Sequence, residues 1–296
     1  MLSIVRPLLR PLPLIGLSAG GLFLAGRVTS TRSITMSTST RDWPVKAYQP
    51  RHTSIDVYKP SDFTRQDSSE DASFYSSPRL VTHIDDAAIA SLRDYYDVVL
   101  PKEGKILDFC SSWVSHYPKS IEDAADRGDL KVIGLGMNKA ELDANQVLNS
   151  GRLLVDLNIN PDIAVALEEA KAAREGELDA STNVVSTDYL TKPIDVLKSL
   201  HRATKSGGTV HLTISNRCFP TKAISRWLKV NEEERLLMVA DFLHFAGWQK
   251  IEIVELSNGK IDEGEQSAPP QGFQGLMAWM GMNRKDPLWV VRAIKP

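Results

Sequence analysis

Cysteine is scarce in this chain, whose 296 residues contain only Cys110 and Cys218. Two cysteines cannot build a disulfide framework, and without a CxxC pair or a Cys/His cluster the sequence suggests no zinc site. The net charge is also small, at −2, so nothing in the composition indicates bulk attraction to nucleic acid. No internal repeat is found. The composition is that of an ordinary globular chain with enough apolar residues for a buried core.

Acidic residues are absent from residues 1–41, which contain five arginines and a stretch rich in Ser and Thr. This composition is typical of a mitochondrial presequence, and we interpret 1–41 as a targeting presequence or a disordered tail. The apolar run 11–26 is short for a membrane span of roughly 20 residues and contains prolines and glycines. A secretory signal or a membrane anchor at this N-terminus is the alternative. Met36 is a second candidate start, which would give a cytoplasmic form.

Residues 42–73 are polar and proline-bearing, which predicts a linker or a wrapping arm. Apolar patterns of strand and helix length alternate from 74 to 296, which predicts one α/β domain. The expected architecture is a Rossmann-like, seven-stranded, mostly parallel sheet with helices on both faces. The seven predicted strands lie in KILDFC, KVIGLG, RLLVDLN, LDASTNVV, TVHLTIS, KIEIVEL and LWVVRAI.

The first of these strands ends in a candidate ligand site. In parallel sheets ligands bind beyond the carboxyl ends of the strands, near the point where the strand order reverses. Asp108 to Ser112 follow the first strand and are therefore the leading candidates. We expect the Asp108 carboxylate to face solvent at the strand end.

Several segments resemble the class I S-adenosylmethionine-dependent methyltransferases, and the resemblance spans residues 74–296. They include KILDFCSSW, VIGLGMN, LLVDLN and LHRATKSGGTVHLTISN. The blocks FYSSPRLVTHID, CSSWVSH and SNRCFPTKAI are similar to a methyltransferase type 11-like subgroup. The resemblance implies S-adenosylmethionine as cofactor and methyl transfer to an unidentified acceptor, most simply a small molecule. The alternative function is a non-catalytic scaffold or assembly protein built on the same fold.

The resemblance also implies roles for individual residues. Asp108 would anchor the methionine end of the cofactor. The remaining implied cofactor residues are Cys110, Ser111 and Ser112 in the turn beneath the methionine part; Gly134, Gly136, Met137 and Asn138 beside the ribose and adenine; Asp156 and Leu157 at the adenine edge; and Asn183 facing the transferring methyl.

Two departures from the family pattern concern glycine. Cys110, Ser112 and Val114 occupy the places of the glycines in the first turn, so we expect that turn to use ordinary φ values. Gly136 stands where many members have an acid that holds the ribose hydroxyls. We therefore expect weak cofactor binding, and tighter binding by a Gly136→Asp variant. In the family's strand order, Cys110 and Cys218 lie too far apart for a disulfide and are expected to be buried.

Five further residues are candidates for the substrate pocket: Arg79, His83, His116, Asp188 and Tyr189. His116 could act as a general base, since histidine titrates near neutral pH. Helix capping, surface exposure and ring packing are the alternative roles for these five. The run QGLMAWMGM, residues 274–282, is either a lid or membrane-touching patch, or a loop packed on the sheet edge. A nicotinamide-binding loop is a weaker alternative, because GLGMNK lacks the third glycine of GxGxxG.

Overall fold

The computed structural model describes residues 43–259 and 285–296, all of which belong to one compact unit spanning 36–296. The expected presequence and the run 274–282 lie outside the described residues. The strands are β1 (Val45–Ala47), β2 (Gly104–Phe109), β3 (Leu130–Gly136), β4 (Gly151–Leu154), β5 (Leu178–Val184), β6 (Thr204–Ser215), β7 (Gln249–Ser257) and β8 (Leu288–Ile294).

The helices alternate with these strands from β2 to β7. They are α1 (Asp71–Phe74), α2 (Asp86–Val99), α3 (Lys119–Asp126), α4 (Lys139–Ala144), α5 (Ile163–Glu169), α6 (Pro193–Ala203), α7 (Ser225–Lys229) and α8 (Glu232–Phe245). Within residues 43–259 and 285–296, three short 3-10 turns complete the regular structure, at Ile55–Val57, Pro60–Phe63 and Thr187–Tyr189.

The strands form one sheet in the order β1-β7-β8-β6-β5-β2-β3-β4. The five strands β2 to β6 are parallel to their neighbours among themselves, whereas β8 is antiparallel to β6 and β7, and β1 is antiparallel to β7. The chain runs outward from β2 to β4 and then returns to place β5 beside β2. The order therefore reverses between β2 and β5, which is where ligands bind in doubly wound sheets.

Consecutive apolar residues in the strands explain why helices cover both faces of the sheet. Leu107 of β2 packs with α5, α6 and α8 on one face, while its neighbour Ile106 packs with α2 and α3 on the other. Successive strand residues point to opposite sides, so a strand that is apolar throughout is buried on both. The mostly parallel α/β architecture was predicted correctly from this pattern.

The strand count is corrected from seven to eight. The seven predicted strands correspond to β2 through β8, and the additional strand, β1, comes from the polar segment 42–73. Its three residues pair with β7 at the sheet edge, and all three are exposed. A strand that buries no apolar side chain leaves no alternating pattern to recognise.

The sequence PIDVLKSLHRATKSGG, residues 193–208, has an amphipathic pattern that predicts a helix ended by Gly207 and Gly208, but the helix observed is shorter. α6 ends at Ala203, and β6 begins at Thr204. The pairing of β5 with β6 is interrupted between Leu178 and Ala180, which leaves the Lys205–Gly208 stretch as a bulge. Gly207 has a φ of 80°, a conformation that suits glycine in such an irregularity.

Candidate functional site

A cavity of about 400 Å³ opens at the carboxyl ends of the parallel strands, on both sides of the β2–β5 switch. This volume lies in the usual range for small-molecule sites, roughly 300–1,000 Å³. Residues that follow β2 to β6 form its walls, and the segment before α2 covers it. Twelve of the predicted site residues line it: Arg79, His83, Asp108, Cys110, Ser111, Ser112, His116, Gly136, Met137, Asp156, Leu157 and Tyr189.

Asp108 is buried rather than solvent-facing, with 3% of its surface exposed. Its carboxylate accepts hydrogen bonds from the Ser111 and Ser115 hydroxyls, both at 2.6 Å, and from Thr182 at 3.2 Å. Burial raises the pKa of Asp108 to about 6, although these three hydrogen bonds oppose the shift. The expectation of an exposed carboxylate is therefore wrong, because the following turn folds back and supplies the carboxylate with its own donors.

The turn after β2 keeps a left-handed backbone without glycine. Cys110 has a φ of 55° and His116 a φ of 56°, so the expectation of ordinary φ values is wrong. Such a conformation costs an L-residue roughly 1–2 kcal/mol. The turn is held in compensation by the Ser111 amide, which donates to the Leu135 carbonyl at 2.7 Å.

The two cysteines are half-buried in the cavity wall rather than fully buried. Cys110 and Cys218 are both free thiols, and both contribute to the lining. Burial raises the pKa of the Cys110 thiol to about 12, so the thiol stays protonated at neutral pH. Burial also raises the pKa of Cys218, so neither cysteine is a thiolate nucleophile at neutral pH.

Gly136 is required by close backbone packing. A Cβ atom at this position would lie 2.2 Å from the Ser111 carbonyl oxygen, which belongs to the turn crossing the end of β3. No side chain fits there unless the turn moves. The ribose acid of the family pattern is therefore excluded at Gly136 by the turn itself.

Glu141 of α4 is a cavity residue that the sequence analysis missed. Its two carboxylate oxygens accept hydrogen bonds from the Arg79 amide and from the Ser112 hydroxyl, each at 2.7 Å. The Glu141 amide donates to the Asn138 side chain at 3.1 Å, so Asn138 caps α4. An Asn followed three residues later by Glu is a helix-start signature that could have identified Glu141.

Asn138 and Gly134 lie outside the cavity lining. The Asn138 side-chain amide donates to the Tyr75 carbonyl at 2.8 Å, which ties α4 to the segment that covers the cavity. Gly134 is packed against Leu148, whose nearest methyl would lie 2.4 Å from an added Cβ. Both residues shape the wall from behind.

Asp156 and Leu157 follow β4 and line the cavity as predicted. The Asp156 carboxylate accepts from the Asn158 amide at 2.9 Å, which orders this turn. The Asn158 side chain in turn donates to Asp71 at 2.8 Å and to the Tyr189 carbonyl at 3.0 Å. These bonds join the exits of β4 and β5 to the covering segment.

Asn183, near the end of β5, and Asp188, in the 3-10 turn after it, are buried behind the cavity wall. The Asn183 side chain donates to the Phe109 carbonyl at 3.0 Å and accepts from the Thr187 hydroxyl at 2.9 Å, so it links two strand exits rather than lining the cavity. One oxygen of Asp188 has no hydrogen-bond partner among the described residues. Burial raises the pKa of Asp188 to about 8, which keeps this acid protonated at pH 7.

Aromatic rings and an arginine form the cover of the cavity. The Arg79 guanidinium lies 4.4 Å from the ring centre of Phe74 and 5.2 Å from that of Phe219. His83 stacks edge-on against Phe219, with ring centres 5.3 Å apart. The Tyr189 hydroxyl accepts a hydrogen bond from the Phe219 main-chain amide at 2.8 Å and so fixes the backbone at Phe219.

His116 is neutral at pH 7. Burial first, and then the nearby charges of Arg93 and His83, lower the pKa of His116 to about 4. A neutral imidazole can accept a proton, but one with this pKa is a weak base. Desolvation also lowers the pKa of His83.

Among the described residues, no cluster of His, Cys, Asp or Glu has the geometry of a metal site. None of the helices in that part of the chain is both long and apolar enough to cross a membrane.

Comparisons with known proteins give distant structural similarity. No family model matches the chain, and no curated protein does. Among solved structures, it is similar to Haemonchus contortus phosphoethanolamine N-methyltransferase 2 in complex with phosphomonomethylethanolamine and S-adenosylhomocysteine, with 14% identity and a TM-score of 0.42. That alignment covers 70% of this chain and 52% of the enzyme, about half the enzyme's length.

Two other similar structures are bacterial. A possible histamine N-methyltransferase from Thermotoga maritima has 16% identity and a TM-score of 0.44, over 71% of this chain and 91% of that one. Geranyl diphosphate C-methyltransferase from Streptomyces coelicolor, solved with Mg²⁺, geranyl diphosphate and S-adenosylhomocysteine, has 14% identity and a TM-score of 0.42, over 71% and 78%. Identities of this size do not identify an activity.

Proposed function

We propose that this protein is an S-adenosylmethionine-dependent methyltransferase that acts on a small-molecule acceptor. The observation that supports this most is the position of the cavity, at the strand-order switch and beneath a cover formed by residues 71–84. Doubly wound sheets bind nucleotide-like cofactors at this point. The cover would exclude water from the acceptor and the cofactor.

The residues of the cavity fit such a cofactor. Met137 and Leu157 offer apolar contacts for a base, and Asp156 beside them offers a carboxylate for hydroxyl or amino groups. Glu141 and Asp108 add acidic character on the same side, which suits a ligand that carries an amine and a sulfonium. When bound, S-adenosylmethionine supplies an electrophilic methyl group on a positively charged sulfur.

The chain's own part in the reaction is positioning. Alignment of two bound reactants and exclusion of water supply most of the rate advantage in such a transfer. An acceptor that is a good nucleophile needs no base. For an acceptor that must lose a proton, the neutral imidazole of His116 lines the cavity and can accept that proton, as a weak base.

The scaffold alternative is also favoured by specific observations. Asp108 is already satisfied by the hydroxyls of Ser111, Ser115 and Thr182, and Gly136 cannot be replaced by a ribose-binding acid without moving the turn. Two groups that the family pattern assigns to the cofactor thus have structural roles here. A chain that no longer bound the cofactor would still be expected to keep Asp108 and Gly136, because their structural roles would remain.

Calorimetric titration with S-adenosylmethionine and S-adenosylhomocysteine distinguishes the two functions. We expect binding of both, and Asp156→Asn should weaken it about five- to thirtyfold because a charge-assisted hydrogen bond becomes a neutral one. Asp126→Asn, at the exposed end of α3, is the matched control and should bind like the unmodified protein. Absence of binding at millimolar concentration would leave the scaffold function.

A further inference from the structure

We propose that the methyl acceptor is a small molecule with a carboxylate or phosphate group and an apolar body, and that Arg79 binds its anionic group. This inference rests on the proposed function and identifies the substrate class of that site. The acceptor would occupy the part of the cavity beside the exits of β5 and β6.

The first support is the division of charge within the cavity. Acidic residues line the side formed by β2, β3 and β4, where Asp108, Glu141 and Asp156 lie. The Arg79 guanidinium lies on the other side, over Phe219, while Arg217, which follows β6, also lines that side but is paired with Asp286. A cationic cofactor and an anionic acceptor would each meet the opposite charge.

The acids near the basic side do not neutralise Arg79. Asp71 is buried and paired with Arg65 at 2.8 Å and with the fully buried Lys222 at 3.2 Å. Asp188 is protonated at pH 7. Asp286 is paired with Arg217, at 2.8 Å.

The hydrogen-bond pattern of Arg79 is the second support. Its side chain makes one hydrogen bond among the described residues, to the Phe74 carbonyl at 3.2 Å. No described carboxylate lies within ion-pair distance of it, whereas its main-chain amide is bonded to Glu141. A guanidinium has five N–H donors in a fork that matches carboxylate and phosphate oxygens, so most of its donors have no partner within the described residues.

The surrounding rings supply the third support. The Arg79 guanidinium lies against the rings of Phe74 and Phe219, which contact each other edge to face with their centres 5.6 Å apart, and the two cation–π contacts orient it. Tyr189 lies 6.0 Å from Phe219, ring centre to ring centre, and continues the apolar surface into the cavity. An apolar or planar acceptor body can pack on this surface while its anionic group reaches Arg79.

Matched aryl compounds test the proposal on the full chain saturated with S-adenosylhomocysteine. Benzoate and phenyl phosphate carry the two anionic groups, whereas benzamide and benzylamine are neutral and cationic counterparts of similar shape. Calorimetry should show at least about tenfold tighter binding of one or both anions than of benzamide, the effect of a charge-assisted pair over a neutral one. The stronger anion distinguishes a carboxylate from a phosphate acceptor.

Variants then assign the anion site. Arg79→Gln should lose the preference for the anions over benzamide and keep its affinity for S-adenosylhomocysteine. Arg79→Lys should retain part of the preference for the anions. Arg127→Gln, an exposed arginine beyond α3, is the control for general charge effects and should behave like the unmodified protein.

Three results would overturn the proposal. They are binding of benzamide as tight as that of both benzoate and phenyl phosphate, no binding of either anion at millimolar concentration, and an Arg79→Gln variant that loses cofactor affinity rather than anion affinity. The last would place the cofactor's own carboxylate at Arg79. If S-adenosylhomocysteine does not bind the unmodified protein at all, the proposed function fails instead, and the anion titrations without it still decide whether Arg79 binds anions.

Discussion

Cys110 and Gly136 each take a role that the family pattern assigns differently. Cys110 adopts the left-handed φ for which the pattern uses glycine. Gly136 is a glycine because the Ser111 carbonyl passes over it, not because its own φ is unusual. The turn after β2 and the end of β3 are therefore one packed unit.

We expect Gly136→Ala to lower the free energy of unfolding. The larger Gly136→Asp side chain would meet the same obstacle, so it is not expected to improve cofactor binding. The added Cβ would meet a backbone oxygen at 2.2 Å, and overpacking of this kind typically costs about 1–3 kcal/mol. Urea unfolding measures the loss. Gly151→Ala is the control, since Gly151 has no positive φ and an added Cβ there would lie 3.3 Å from the nearest atoms, which belong to the side chains of Ile133 and Leu153. An equal or smaller loss at Gly136 would contradict the packing described here.

The Asp108 carboxyl should make stability depend on pH. Its pKa in the folded protein is about 6, above the ordinary 3.8. Its contribution to the free energy of unfolding is therefore fully present below pH 4 and is lost as the pH rises through 6. The loss amounts to about 3 kcal/mol. In Asp108→Asn this loss should be absent, and the difference in unfolding free energy between the two proteins should change in this window. A difference that is constant from pH 4 to 7 would show that Asp108 stays ionised.

At the scale of elements, the segment 43–63 is fastened to α8 through one buried acid. Asp241 is fully buried and accepts hydrogen bonds from Tyr48, Tyr58 and Arg51. Arg51 also pairs at 2.6 Å with Glu234, which lies about two turns before Asp241 on the same helix. The polar composition that predicted a linker or arm thus includes the groups that hold the segment against the domain.

Asp241→Ala should release this segment. Removal of one partner from a buried ion pair typically costs about 3–5 kcal/mol, and here the buried Tyr48 and Tyr58 hydroxyls would lose their acceptor while Arg51 would keep only Glu234 as an ion-pair partner. Chemical unfolding should show the loss, and limited proteolysis should show new cleavage within 43–63. Glu233→Ala removes the exposed pair with Lys46, 3.0 Å long, and should cost less than about 1 kcal/mol. Similar losses in the two variants would mean that the Asp241 cluster does not hold the segment.

At the scale of the whole molecule, we expect the N-terminus to direct the protein to mitochondria. The acid-free, arginine-bearing composition of 1–41 motivates this expectation. Full-length protein with a C-terminal tag should reach mitochondria, whereas a form that starts at Met36 should remain in the cytosol. Microscopy with a mitochondrial marker measures both. Identical distributions would rule out a targeting role for the first 35 residues.

The sequence by itself determined the order of the strands from β2 to β8 and the edge of the sheet at which the cavity lies. Seven strands could be recognised because parallel strands buried on both faces are apolar throughout, and helix starts such as Asn231 before Glu234 have local chemistry. The exits of β2, β3 and β4 could be recognised as cavity walls because chain order places them at one edge of the sheet.

Only the tertiary structure decided what each polar side chain does there. Asp108, Asn138 and Asn183 have the residue types expected of ligand contacts, yet each is satisfied by protein groups far away in sequence or across a turn. The contact of Glu141 with the Arg79 amide and the pairing of Asp71 with Lys222 depend on which segments meet in the folded chain. A hydrogen bond depends on distances of a few tenths of an ångström between groups that the chain brings together, and residue type alone does not encode them.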